Sequence, residues 1–274
     1  MLHKWTFFCY DEYIMFWALR RQILYLGIVV GFFLVIGFLI AYPYFNKVAT
    51  CFDGVQNGTE TGVDCGGSCS LACTSQVDQI SVLWARSFQV VPGRYNAVAY
   101  VENQNENTAV DKIRYKFRFY DKDNVYIGMR EGETFIPPKG KFAIFEPAID
   151  VGNSTLVYTA FEFSETPNWV FVSKEKIEQL KIFISDIKLE NETTEPKLSA
   201  VARNNSLFRI SEVSFVVILY DALGNAISAS HTYLDVLKGE ESANLSFTWR
   251  EPIISTIVKK EIIPMFNIFL VKLQ

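Results

Sequence analysis

The chain has 274 residues, half of them hydrophobic, and a formal net charge of -4. Without clustered Lys and Arg it offers no nucleic-acid footprint and no polybasic arm. Its two histidines, His3 and His231, are too few for a Ser-His-Asp triad or a multi-histidine metal centre beyond the N-terminal region.

Residues 1–22 carry Trp5, Phe7, Phe8, Tyr10, Tyr13, Phe16 and Trp17 among few charges. This suits a cytoplasmic or interfacial segment, because aromatic rings at the headgroup level have one apolar and one wet side. Its expected role is anchoring, with docking to a membrane partner as the alternative. From Ile23 to Tyr42 twenty uncharged residues follow, enough for one transmembrane helix of about 30 Å. Arg20 and Arg21 precede this run and Lys47 follows it, so the positive-inside bias places the N-terminus in the cytoplasm and residues 46–274 outside. The run is too long for a signal-peptide core and no small-x-small site follows it, so a signal anchor in a single-pass protein of the cell membrane is expected.

Residues 46–75 hold four of the five cysteines, Cys51, Cys65, Cys69 and Cys73. On the oxidising side such a set favours two disulfides, with three connectivities open. Zinc competes, but the spacing lacks paired C-x2-C knuckles. Cys9 falls on the cytoplasmic side. Asp53, Asn57, Glu60 and Asp64 share this segment with Gly54, Gly58 and Gly62, and oxygen ligands on a glycine-rich loop suit a hard cation such as calcium. An EF-hand is rejected, since its third position would be Val55 and its flanks are cysteines. The competing use of the same residues is turn capping, with Asn57-Gly58 making a tight bend. Either way, a segment of this size has no apolar core and needs covalent closure.

The remaining chain divides by pattern into 76–172, a linker helix at 173–181, and 182–274. Shifted by 100 residues, Val101–Asp121 falls on Val201–Asp221 without gaps. Ile113, Tyr115, Phe117 and Phe119 then match Val213, Phe215, Val217 and Leu219, alternating as half-buried strands do. Both strands end in Tyr-Asp and a turn, and each copy continues to a Lys-Gly turn, Lys139-Gly140 or Lys238-Gly239. Frequent short strands rich in Val, Ile, Phe, Tyr and Thr predict a mainly β chain of two tandem antiparallel β-sandwiches, immunoglobulin- or fibronectin-like. The one helix expected outside the membrane is Lys174–Leu180, with Ser173 as N-cap and Glu175 in its first turn. Phe266–Lys272 reads as the closing strand. Trp84, Trp169 and Trp249 sit in or beside strands, where core packing is the expected use.

Two resemblances add to this reading. Phe215-Val-Val-Ile-Leu-Tyr-Asp221 followed by Gly224 resembles FxLYD-type extracytoplasmic β-sandwiches; the first copy, Phe117-Arg-Phe-Tyr-Asp121, has Phe for the motif's Leu. The resemblance implies an anchored prokaryotic envelope protein with binding or structural modules and no known chemistry. Cys51–Cys73 resembles small disulfide-bonded modules of secreted proteins with the pattern C-x-D-G-x-x-N-G-x-E-x-x-x-D-C-G-G-x-C-x-x-C, although its last gap is three residues. Some such modules are calcium-bound, which implies Asp53, Asn57, Glu60 and Asp64 as ligands.

The expected function is therefore that of a membrane-anchored structural or interaction component of the cell envelope, with protein partners and without catalytic residues. The alternatives are a ligand-binding or sensory ectodomain, for instance for envelope polysaccharide, and an accessory subunit of a membrane enzyme or secretion complex. Calcium is the one ion expected, and no other cofactor is. Carboxylate pairs at Glu131 and Glu133 or Glu240 and Glu241 read as solvated turn acids rather than glycosidase groups. No Walker loop or dinucleotide fingerprint is present. Sequons at Asn57, Asn153, Asn191, Asn204 and Asn244 all fall on the expected external side.

Overall fold

The computed structural model describes residues 6–45 and 50–272, without the side chains of residues 6–16, 18, 44 and 45. His3, Trp5 and Lys47 lie outside the described residues, as do 46–49 of the cysteine segment and 273–274 of the last β region. So do the side chains of Cys9, Phe7, Phe8, Tyr10, Tyr13 and Phe16.

The chain divides into two units, Met1–Asp53 and Gly54–Gln274. The first is dominated by helix α1 (Thr6–Phe45), whose stretch Leu19–Pro43 is 25 residues long and apolar enough to cross a bilayer. At 1.5 Å per residue that stretch spans about 37 Å, against a hydrocarbon core of about 30 Å. Because α1 runs unbroken from Thr6, the described part of the aromatic segment, residues 6–22, and the span belong to one helix. The Arg21 guanidinium lies 3.9 Å from the centroid of the Trp17 ring, a cation–π contact at the charged end of the span.

In the second unit the first sandwich is built from β1 (Ser81–Val91), β2 (Arg94–Asn103), β3 (Thr108–Tyr120), β4 (Tyr126–Ile136), β5 (Gly140–Asp150), β6 (Tyr158–Phe163) and β7 (Val170–Phe171). Helix α2 (Lys174–Gln179) follows, with the Ser173 side chain accepting from the Lys176 amide at its start. The second sandwich comprises β8 (Ile182–Glu190), β9 (Lys197–Asn204), β10 (Ile210–Tyr220), β11 (Ala226–Leu237), β12 (Ser242–Thr248) and β13 (Lys259–Met265). Strand order repeats: β1-β2-β5 faces β4-β3-β6 in one, and β8-β9-β12 faces β11-β10-β13 in the other, with every pairing antiparallel.

The repeated Tyr-Asp ends have a common cause. Asp121 Oδ1 accepts from the amides of Asp123 and Val125, and Asp221 Oδ1 accepts from those of Leu223 and Asn225. Each carboxylate thus closes its own turn, and the residue at the left-handed position is Asn124 (φ 61°) or Gly224 (φ 77°). The Lys-Gly turns match less literally. Lys139 (φ 49°) donates its amide to the Asn105 carbonyl as Glu240 (φ 59°) does to the Ser206 carbonyl, so the structural counterpart of Lys139 is Glu240.

The half-buried alternation expected of both Tyr-Asp strands holds for β3 and fails for β10. Val213, Phe215, Val217 and Leu219 face the core of the second sandwich, while Val216, Ile218 and Tyr220 enter the core shared with the first. β10 is therefore buried on both faces, because the outer face of its sheet lies on the outer face of β1-β2-β5, where Val98, Tyr100 and Ala143 are also buried. The expected closing strand at Phe266–Lys272 is a correction as well. β13 closes the sheet, and the segment after it forms a 3-10 turn at Ile268–Leu270. Asn267 Oδ1 accepts from the Phe269 amide and its Nδ2 donates to Asp111 Oδ1, while Ile268 and Val271 drop into the core.

Candidate functional site

The cysteine segment folds around its disulfides. Of the three open connectivities the structure selects that in which Cys65 pairs with Cys73, at a Cα separation of 5.1 Å, and Cys51 and Cys69 are disulfide-bonded as well. No thiolate of this set is left for the zinc reading. Gly67 is required: its φ is 61°, and a Cβ there would strike the Thr59 carbonyl.

Among the four candidate ligands, Glu60 Oε2 accepts from the amides of Asn57 (3.2 Å) and Asp64 (3.3 Å). Both Asp64 carboxylate oxygens accept from the Gly54 amide, at 3.1 and 3.0 Å. Asp64 is itself left-handed at φ 55°. These carboxylates act as turn acceptors for a short loop with few backbone partners of its own. Asp53 immediately precedes the amide that Asp64 receives.

The segment is joined to the first sandwich by strand-like pairing. The Ala72 amide donates to the Trp169 carbonyl (2.9 Å) and the Phe171 amide to the Ser70 carbonyl (2.8 Å), while β7 pairs onto β3 at Thr108 and Ala109. Just after the segment, Asn105 fixes the approach to β1: its Oδ1 accepts from the Asp78 amide (2.7 Å) and its Nδ2 donates to the Asp78 carbonyl (2.9 Å). The cysteine segment thus covers the β7 edge, a place where unpaired backbone would otherwise invite aggregation.

The contact between the sandwiches is pinned by polar groups. Tyr100 Oη donates to Glu261 Oε1 (2.8 Å), Lys259 holds Glu261 Oε2 (2.9 Å), and Arg86 donates to the Ala226 carbonyl (3.1 Å). Burial, followed by the hydrogen bond and charge of Glu261, raises the Tyr100 phenol above the usual tyrosine range, and burial with Glu261 raises Tyr220 likewise. For Glu261 burial pulls upward, but hydrogen bonds from Lys259, Tyr100 and Tyr220 outweigh it and hold the carboxyl below its ordinary value. His231 stacks on Phe145 at 5.3 Å between centroids and shares a 2.9 Å hydrogen bond with Ser214, and burial lowers its pKa.

Among the described residues the outer face of β4-β3-β6 carries no second sheet. Along β3, Lys116 pairs with Glu131 (3.0 Å) and Arg118 with Glu162 (2.7 Å), and Lys112 reaches Glu133 (2.9 Å). Glu131 and Glu133 are therefore members of a cross-strand charge ladder. Glu241 accepts from the Lys238 amide in its turn. At the end of the ladder three tyrosines form one cross-strand row, Tyr126 opposite Tyr120 opposite Tyr158. Their ring centroids lie 5.9 and 5.8 Å apart, and Tyr126 and Tyr158 are 51% and 56% exposed. Sequence reasoning missed this row. Its signal was the Tyr-Asp turn itself, which brings Tyr126 back opposite Tyr120.

The tryptophans serve packing: Trp169 is buried, Trp84 lies 5.3 Å from the Tyr100 ring, and Trp249 packs against the second core. Of the sequons, Asn153, Asn191 and Asn244 are exposed and Asn57 is half-buried. Asn204 is fully buried with its Nδ2 donating to the Phe208, Leu237 and Lys238 carbonyls, so the folded chain offers no glycan acceptor there.

These features define a class: a helix able to span a bilayer, followed by a disulfide-closed segment clasped to a pair of mated β-sandwiches. No family model matches the chain, and no curated protein matches it. Among solved structures it is aligned with red sea bream transglutaminase at 6% identity and a TM-score of 0.22, over 64% of this chain and 27% of that one. The chain spans about a quarter of that protein's length, and a likeness of this size says nothing of activity.

Proposed function

We propose that the protein is a membrane-anchored interaction component of the cell envelope, with α1 in the bilayer, the sandwiches on the extracytoplasmic side, and binding rather than catalysis as its work. The Arg20-Arg21 pair beside the span supports that orientation, and disulfide bonding of all four cysteines from Cys51 to Cys73 suits an oxidising compartment. The observation that carries the reading is the tyrosine row Tyr126-Tyr120-Tyr158 on a free sheet face. Tyrosine and arginine are the residues that dominate protein interfaces, and Arg118 occupies the adjacent row. The repeat supplies a precedent within the molecule: Tyr220, the counterpart of Tyr120, lies in the contact between the two sandwiches. A protein partner accordingly docks on the outer face of β4-β3-β6.

Co-purification from cross-linked membranes tests this. The wild-type chain should bring down a defined envelope protein, and the pair Tyr126→Ser and Tyr158→Ser should lose it while reaching the membrane at the same level. A partner retained by the double variant, or no partner for the wild type, would contradict the reading.

A further inference from the structure

An Asn-x-Ser/Thr triplet can accept an N-linked glycan where the asparagine amide and the hydroxyl two residues on are both reachable. Fifteen asparagines and thirty-three serines and threonines would place about two such triplets in this chain by composition, and five occur. The fold sorts the five into two groups. At Asn204 both members are spent: its Nδ2 donates to three carbonyls, and the Ser206 hydroxyl donates to its Oδ1 at 2.7 Å. Asn57 is half-buried inside the disulfide-closed loop, and the Thr59 hydroxyl is tied to that of Ser68 at 2.7 Å. At Asn153, Asn191 and Asn244 the asparagine is exposed, as is its Thr155, Thr193 or Ser246, and among the described residues no hydrogen bond engages these six side chains.

Each of the three stands where added mass disturbs no backbone pairing. Asn153 lies in a turn closed by the Ser154 amide on the Val151 carbonyl (3.1 Å), and Asn191, at φ 56°, in the β8–β9 turn closed by the Thr194 amide on its own carbonyl (3.0 Å). Asn244 and Ser246, two residues apart on β12, share the solvent face of their strand. That face has a composition of its own. Asn244 stands opposite Val201 and Val201 opposite Ser185, and the next row is Ser246, Ser199 and Lys188. Counted back from Asn103 and Asn204, the equivalent rows of the first sandwich hold Ala143, Tyr100 and Trp84, then Phe145, Val98 and Arg86, and the second sandwich covers them. Small side chains around Asn244 leave room for sugar rings over a face that no other sheet covers among the described residues.

We propose that Asn153, Asn191 and Asn244 carry N-linked glycans and that the glycan on Asn244 lies over the outer face of β8-β9-β12. In the attachment step the asparagine Nδ2 attacks the anomeric carbon of a polyprenyl-diphosphate-linked oligosaccharide. The C–N bond forms as the C–O bond to phosphate breaks, the diphosphate leaves with the electron pair, and the amide proton passes to a carboxylate of the transferase. Glycosylation rests on the extracytoplasmic placement of the sandwiches, and it sharpens the docking reading. With two sheet faces mated and a third under sugar, β4-β3-β6 is the sheet face left open to a protein.

The test takes the full chain from the membranes of the cells that make it and sequences its peptides by electron-transfer mass spectrometry. Sugar masses should sit on Asn153, Asn191 and Asn244, with none on Asn57 or Asn204. Thr155→Val and Ser246→Ala keep the asparagines and should each remove the glycan from their own site alone. For the covered face, Phe183→Cys should react with a polyethylene-glycol maleimide severalfold more slowly than the same cysteine in the Ser246→Ala background. A membrane-impermeant amine reagent on intact cells, which should label exposed Lys122 and not Lys4, separates this proposal from the orientation beneath it. A bare asparagine at any of the three sites with Lys122 labelled would overturn the glycan assignment and leave the orientation standing, whereas Lys4 labelled in place of Lys122 would overturn both. A glycan on Asn204, a glycan on Asn244 that survives Ser246→Ala, or equal maleimide rates in the two backgrounds would also contradict the proposal.

Discussion

Asn103 and Asn204 hold the same post in the two sandwiches. Each is fully buried at the end of its strand, and the Oδ1 of each accepts from the amide two residues on, that of Asn105 or Ser206, at 3.0 Å in both cases. Their amide groups donate across the end of the sandwich, Asn103 to the Thr108 and Pro137 carbonyls and Asn204 to those of Phe208, Leu237 and Lys238. One side chain thereby ties two loops that have no ladder of their own. Asn103 stands eighteen residues before Asp121 and Asn204 seventeen before Asp221, so the gapless alignment of the repeats sets these two residues out of register.

Replacing Asn204 by Leu removes the two amide hydrogens shared among the Phe208, Leu237 and Lys238 carbonyls and the oxygen that accepts from the Ser206 amide. At about 1 kcal/mol for each hydrogen bond lost, folding should weaken by roughly 3 kcal/mol. Chemical denaturation of the two variants would show it, with the exposed Asn244→Ala remaining within about 0.5 kcal/mol of wild type.

The raised phenols of Tyr100 and Tyr220 give stability a sign at alkaline pH. A tyrosine whose pKa is higher folded than unfolded stabilises fully below the unfolded value of about 10, and that contribution is lost as pH rises above it. The melting temperature should fall above pH 10, and the fall should be shallower in Tyr100→Phe. An equally steep fall in that variant would place the titration elsewhere.

His231 acts in the opposite pH range. Burial against Phe145 lowers its pKa, so the unfolded chain takes up the proton first, and stability declines as pH drops below the unfolded value of about 6.5. His231→Gln should flatten thermal stability between pH 6.5 and 5, as followed by differential scanning calorimetry.

The carboxylates of the cysteine segment hold backbone amides in the structure, and that use needs no metal. Glu60→Ala should therefore increase the rate of proteolytic nicking within residues 50–75 even in chelator-treated buffer. Protection identical to wild type without calcium, and a difference appearing only with it, would assign Glu60 to an ion.

Much of the β architecture was legible because its signals are local. The Tyr-Asp turns, the N-cap at Ser173 and the alternation of β3 each follow from a few neighbouring residues. What escaped notice depends on contacts far apart in sequence. The run from Phe215 to Tyr220 is unbroken in its hydrophobicity where the first copy reads Lys116, Arg118 between its apolar residues, and that contrast is the mark of a strand buried on both faces. One face alone satisfies the period of two, so the same run also fits simple alternation. The 3-10 turn at Ile268–Leu270 escaped for a related reason: Phe266–Lys272 has a strand's composition, but Asn267 finds its partner in Asp111, 156 residues earlier. For the candidate site, the four oxygen ligands were visible as a pattern, whereas their use as amide acceptors depends on the closed loop. The tyrosine row needed the register of three strands.

The central claim, that an anchored pair of mated sandwiches receives a protein on the outer face of β4-β3-β6, is tested most directly by placing a photo-cross-linking phenylalanine analogue at Tyr126 in the membrane-bound protein. The account predicts a discrete adduct with one envelope protein, absent when the same analogue replaces exposed Phe183 on β8. No protein adduct at position 126, or the same adducts from both positions, would contradict it.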